Sequence, residues 1–163
     1  MLKYTSHDVV FQELPDEISL AFNIANCPFN CFNCHTPELK ENIGKPLNMK
    51  VISKLLEKYP TVTCIIFFGG DKNPGDVWTL FHDIKSQFSI KTCWYSGRKR
   101  LEPEYTKQDF LSVFDYIKLG PYIEEKGPLN KETTNQRMYM KNPFWSIATI
   151  QTGWEDITYK FWK

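Results

Sequence analysis

Long apolar runs are missing from this 163-residue sequence. No stretch approaches the roughly 18–20 apolar residues that a membrane-spanning helix needs. The first residues, MLKYTSHDVVFQELPDE, lack the apolar core of a secretory leader. Neither a membrane partner nor export is expected, and the cytoplasm is the expected location. Excess charge is missing too, with 20 Lys and Arg against 19 Asp and Glu, a net charge of +1. Binding to nucleic acid needs a concentrated positive surface. The one tight basic run, Arg98-Lys99-Arg100, reads as a solvated turn, so no nucleic-acid partner is expected. No repeat, low-complexity tract or linker divides the chain, and a single domain over 1–163 is expected.

What the sequence does have is strands alternating with helices. In EISLAFNIA (17–25), Ile18, Leu20, Phe22 and Ile24 alternate as a strand does. Asn48 then caps a helix with Val51, Ile52, Leu55, Leu56 and Tyr59 on one side, stopped by Pro60. VTCIIFF (62–68) is a buried strand ended by Gly69-Gly70. Asn73-Pro74 opens a second helix, whose apolar face is Val77, Leu80, Phe81, Ile84 and Phe88. SIKTCWYSG (89–97) and FDYIKLG (114–120) are further strands, separated by a short helix capped by Thr106. RMYM and SIATI are candidate short strands near the end of the chain. This alternation predicts a mainly parallel sheet with right-handed crossovers. Ligands of such sheets bind beyond the carboxyl ends of the strands. The cysteine loop, Gly69-Gly70-Asp71, Ser96-Gly97 and Gly120-Pro121 all fall there.

The cysteine loop is CPFNCFNCHTPE (27–38). In a reducing compartment its thiols stay free of disulfides, which points to metal ligation or redox chemistry. Cys27, Cys31 and Cys34 follow C-x3-C-x2-C, and a structural zinc site wants a fourth ligand. His35 directly follows Cys34 and is badly placed to aim at the same centre, so it reads as a packing or supporting residue. Cys64 and Cys93 sit inside apolar strands and behave as small core residues. Three thiolates without a fourth suit a four-iron cluster with one iron left open. Zinc and unliganded thiols stay open as alternatives.

The motifs CPFNCFNCHTPEL, FFGGD, WYSGR and YIKLGPYIEE through TTNQR together resemble the radical S-adenosylmethionine superfamily. Within it they resemble the activating enzymes of anaerobic ribonucleoside-triphosphate reductases. The resemblance implies an α/β fold, a partial, laterally open (β/α) barrel with a mainly parallel sheet. It implies a [4Fe–4S] cluster on Cys27, Cys31 and Cys34, whose open iron holds S-adenosylmethionine for reductive cleavage. Gly69, Gly70, Asp71, Ser96 and Gly120 are the expected contacts to that cofactor. The expected partners are the reductase, on which a glycyl radical is set, and an electron donor such as flavodoxin. Asn135, Gln136 and Arg137 are candidates to line the partner's approach. Relatives often carry an aromatic residue just before the third cysteine; here it is Asn33, with Phe32 one place earlier. Two other readings compete: a radical S-adenosylmethionine enzyme with a small-molecule substrate, similar to deazapurine-forming synthases, and a non-catalytic zinc-binding module.

Overall fold

A computed structural model describes residues 1–142 and 153–162. Eight strands form one sheet: β1 (Lys3–Val10), β2 (Ser19–Ile24), β3 (Lys45–Pro46), β4 (Cys64–Phe68), β5 (Lys91–Tyr95), β6 (Tyr116–Leu119), β7 (Arg137–Lys141) and β8 (Trp154–Asp156). Their spatial order is β3-β1-β2-β4-β5-β6-β7-β8. The α-helices are α1 (Met49–Lys58), α2 (Pro74–Gln87) and the single turn α3 (Gln108–Leu111).

The central run β2-β4-β5-β6 is parallel, as the alternating pattern predicts. The flanks are not, because β1 runs antiparallel to β2 and β3, and β7 antiparallel to β6 and β8. The expected mainly parallel, laterally open (β/α) barrel is therefore corrected to a mixed eight-stranded sheet with few helices. The connections account for this, since a parallel neighbour needs a crossover of a dozen or more residues, usually helical. The stretch between β1 and β2 is too short for one, and the one between β6 and β7 holds only a 3-10 turn at Glu124–Lys126. Each chain end therefore returns beside its neighbour in the opposite direction.

The predicted helices form where their caps are. Asn48 Oδ1 accepts from the Val51 N–H at 3.1 Å to start α1. Pro74 occupies the first turn of α2, although Asn73 makes no side-chain cap bond. Thr106 ends a 3-10 turn instead of capping a helix, and Lys107 takes the cap position of α3. The strand expected at RMYM is the start region of β7, and SIATI (146–150) lies outside the described residues.

Strand alternation sorts the core onto two faces. Leu20, Phe22, Ile65, Phe67, Trp94 and Ile117 pack under Ile52 of α1 and Val77, Phe81 and Ile84 of α2. On the other face Ala21, Cys64, Ile66, Cys93 and Tyr116 pack with Leu14, Leu129, Ile157 and Phe161, which come from loops and the end of the chain. Cys64 and Cys93 are fully buried there, as their apolar neighbours predict. No helix among the described residues is long and apolar enough to cross a membrane.

Candidate iron–sulfur site

The second face carries the site. Sheet register aligns Asn23, Phe68, Tyr95 and Lys118 in one row across the four parallel strands. The row lies one pleat beyond the apolar row Ala21, Ile66, Cys93 and Tyr116. All four residues of the outer row line a cavity of about 630 Å³, which is also bordered by Cys27, Cys31, Cys34, Gly69, Asp71, Ser96 and Gly120. Of the eight residues expected as metal ligands or cofactor contacts, only Gly70 stays off its walls; of the three expected to face a partner, Gln136 lines the cavity while Asn135 and Arg137 do not. The four strand ends thus converge on one hollow, the arrangement that parallel strands impose.

The loop that bears the cysteines is pinned at its base. The Asn26 N–H donates to the Glu41 carbonyl at 3.0 Å, and the Cys27 N–H to that of Leu39 at 2.8 Å. Thr36-Pro37 opens a 3-10 turn, Pro37–Lys40, without a side-chain cap. Asn26 and Asn33, which precede the first and third cysteines, both have positive φ (66° and 50°). Asparagine tolerates that left-handed geometry far better than a bulky aromatic does. Asn33 also donates to Glu124 Oε1 at 2.8 Å, tying the loop to the segment after β6, while Phe32 points outward at 74% exposure. His35 packs its ring on Tyr122, with centroids 5.3 Å apart, in the supporting position expected of it. Phe29, between the first two cysteines, covers Gly97 so closely that a Cβ there would meet its ring at 2.5 Å.

Gly69 and Gly70 hold φ of +97° and +91°, backbone geometry that glycine adopts without strain. The Gly69 carbonyl accepts from Trp94 Nε1 at 2.8 Å, so the turn is held from the helix side of the sheet. Asp71, 2% exposed, accepts from Ser96 Oγ at 2.5 Å and the Gly97 N–H at 3.2 Å, and pairs with Arg98 Nε at 3.3 Å. Burial pushes its carboxyl above the usual carboxylate range, with the Ser96 and Gly97 donors pulling the other way. The donor proton of Ser96 is spent on Asp71, and its oxygen accepts from the Arg98 N–H at 3.1 Å. These two residues thus brace the turns after β4 and β5 against each other. Gly120, at φ +105°, lies so close to Gln136 and Asn135 that a Cβ would meet backbone at 3.0 Å. Asn135 Nδ2 donates to the Pro121 carbonyl at 2.9 Å, Gln136 lines the cavity, and Arg137 bonds the carbonyls of Thr134 and Gln136.

Sequence reasoning passed over Lys118 as part of a strand. The residue is 8% exposed, and its ammonium donates to the Gly120 carbonyl at 2.6 Å and lies 5.9 Å from the Tyr95 ring centroid. Burial pulls its pKa down to about 8, partly offset by Asp71 and Cys31. The signal was present, because a lysine inside the apolar strand YIKL is out of place in a fully buried run.

The three thiols are each half-buried at the cavity wall. Burial raises the Cys27 thiol above its ordinary pKa, and the negative charges of Asp71, Cys31 and Cys34 add to this. Among the described residues, no three Cys, His, Asp or Glu side chains gather closely enough to hold one metal ion. Thiolates on a single zinc, at about 2.3 Å each, must crowd together. A four-iron cluster takes one thiolate per iron and spreads them. Three cysteines on one pinned loop, opening on a roomy polar-edged cavity, fit the cluster.

A protein-family model described as a 4Fe-4S single cluster domain matches residues 18–139. The chain belongs to the 4Fe-4S single cluster domain family. The matched span runs from the residue before β2 into β7 and includes every wall of the cavity formed by the parallel strands and the cysteine loop. Membership in the 4Fe-4S single cluster domain family supports an iron–sulfur cofactor and is compatible with redox enzymology. No curated protein is matched by the chain.

Proposed function

We propose that this chain is a radical S-adenosylmethionine activase, which sets a glycyl radical on an anaerobic ribonucleoside-triphosphate reductase in the cytoplasm. The observation that carries the reading is the meeting of the C-x3-C-x2-C loop with the Gly-Gly-Asp, Ser-Gly and Gly-Pro turns around one cavity of about 630 Å³. That volume is in the range of nucleotide-sized ligand sites. Cys27, Cys31 and Cys34 would hold a [4Fe–4S] cluster. When bound and reduced by a donor such as flavodoxin, that group would supply the electron for reductive cleavage of S-adenosylmethionine.

The chain's own residues position and shield. Gly69 borders the cavity without a side chain, and Gly70 behind it lets the chain turn. Asp71 and Ser96 lock the two neighbouring turns together, so the nucleotide meets a rigid wall. Gly120 keeps the floor after β6 free of a side chain. Phe68 and Tyr95 supply an apolar surface that limits water, their rings meeting edge to face at 4.8 Å. Gln136, which lines the cavity, with Asn135 and Arg137 beside it, would face the reductase's glycine loop.

The test is electron paramagnetic resonance on anaerobically reconstituted, reduced protein, with and without S-adenosylmethionine, followed by mixing with the reductase. A four-iron signal that changes with the nucleotide, then a glycyl radical on the reductase, is the expected result. Zinc in place of iron after careful reconstitution sinks the reading and leaves a metal-stapled binding module. Nucleotide cleavage without any protein radical would move the substrate to a small molecule.

A further inference from the structure

Lys118 is a buried cation without a matching anion. No carboxylate among the described residues lies within ion-pair distance of its Nζ. Asp71, the acid whose charge acts on it most strongly, is committed to Ser96, Gly97 and Arg98. An ammonium has three protons to donate, and the Gly120 carbonyl takes one of them. Burying an uncompensated charge is costly, and native proteins do it where a partner arrives from elsewhere. The sheet dictates where Lys118 faces. It continues the row Asn23, Phe68, Tyr95 onto the cavity that the three cysteines border.

We infer that Lys118 is the built-in counter-charge of the cluster, holding the [4Fe–4S] site at a higher reduction potential than the cavity would otherwise give it. This rests on the reading of Cys27, Cys31 and Cys34 as its ligands. Three thiolates outweigh the positive charge of an oxidised four-iron core, and reduction adds one more negative charge to the same site. A fixed cation in a low-dielectric wall favours the more negative state. The residue therefore eases delivery of the electron without touching the nucleotide. A lysine that only bridged the Gly120 carbonyl would affect stability and leave the potential where it was.

The experiment is a redox titration of the anaerobically reconstituted protein without nucleotide, followed by electron paramagnetic resonance, for wild type, Lys118→Met and Lys118→Arg. Circular dichroism checks each fold. Lys118→Met is expected to reduce at least tenfold less readily, a fall of about 59 mV for one electron, with Lys118→Arg close to wild type. A Lys118→Met cluster at the wild-type potential overturns the inference. If Lys118→Met holds no cluster while Lys118→Arg does, the demand for positive charge stands. If neither holds one, the side chain's shape matters rather than its charge, and the inference falls. A wild-type protein that takes up no four-iron cluster overturns the underlying reading, and this one with it.

Discussion

Replacing Ser96 by alanine tests the brace between the turns after β4 and β5. The substitution keeps the volume nearly unchanged and removes one hydroxyl from a residue that is 1% exposed. That hydroxyl is the closest donor to Asp71, at 2.5 Å, and it accepts from the Arg98 N–H at 3.1 Å. Leaving a buried acceptor short of a donor costs about 1–3 kcal/mol, at the upper end when the acceptor is charged. For a chain of this length, about 2–3 kcal/mol corresponds to a drop in Tm of about 4–12 °C. The pH dependence carries the cause. Asp71 titrates above the usual carboxylate value of 3.8 because burial outweighs its donors, so its ionised form is disfavoured by folding. Native Asp71 therefore holds its proton more tightly than unfolded Asp71. Its contribution to stability falls as pH rises through the window between the two values. Removing the Ser96 donor widens that window upward. The part of the Ser96→Ala deficit tied to Asp71 ionisation is full above the raised folded value and fades on acidification through the window, leaving the smaller, pH-independent loss of the acceptor for the Arg98 N–H. Anaerobic thermal unfolding by circular dichroism at a series of pH values measures it. A deficit under about 0.5 kcal/mol at pH 8, the size of an ordinary surface change, or one that does not vary with pH, refutes the reasoning.

Six further substitutions probe the site and its surroundings. Gly97→Ala drives a Cβ to 2.5 Å from the Phe29 ring, displacing the loop between Cys27 and Cys31, and iron content after reconstitution should fall by at least half. Gly75→Ala meets nothing within 4 Å and should keep full iron content while gaining about 0.5–1 kcal/mol in a urea melt. Cys27→Ala, Cys31→Ala or Cys34→Ala should each abolish cluster-dependent cleavage of S-adenosylmethionine. Cys64→Ala, in the apolar core, should retain cleavage and lose about 1 kcal/mol of stability; cleavage at wild-type rate in the Cys31 variant would refute the ligand assignment.

The central strands and both long helices were readable because each carries a strong local signature. The run CIIFF is too apolar for a surface element, and the Asn48 and Pro74 starts are set by capping chemistry. β1 was not readable. KYTSHDVV is half-buried with an irregular burial pattern, so its apolar residues never alternate cleanly. Its strand state comes from β2, whose edge offers it a ladder from Val10–Ser19 to Tyr4–Ile24. Missing β1 and the antiparallel direction of β7 is what made the sheet read as mainly parallel. The cysteines and strand-end turns were legible because motif spacing is local. Glu124 was not, since its bond to the loop exists only once the turn after β6 brings distant segments together, and Lys118 stood out as a cation in an apolar strand without showing what it faces until register set it on the cavity.

None of the three candidate ligands belongs to either apolar cluster of the core. In a zinc finger the metal is the core, and folding waits for it. Here the sheet and its helices pack without help from the three cysteines, and the loop tip at Phe32 reaches into solvent. Order of assembly follows: polypeptide first, inorganic group second. A cell that runs short of iron, or meets a burst of oxygen, would then be left with an intact empty receptacle ready to be refilled, not a denatured chain to be degraded and made again.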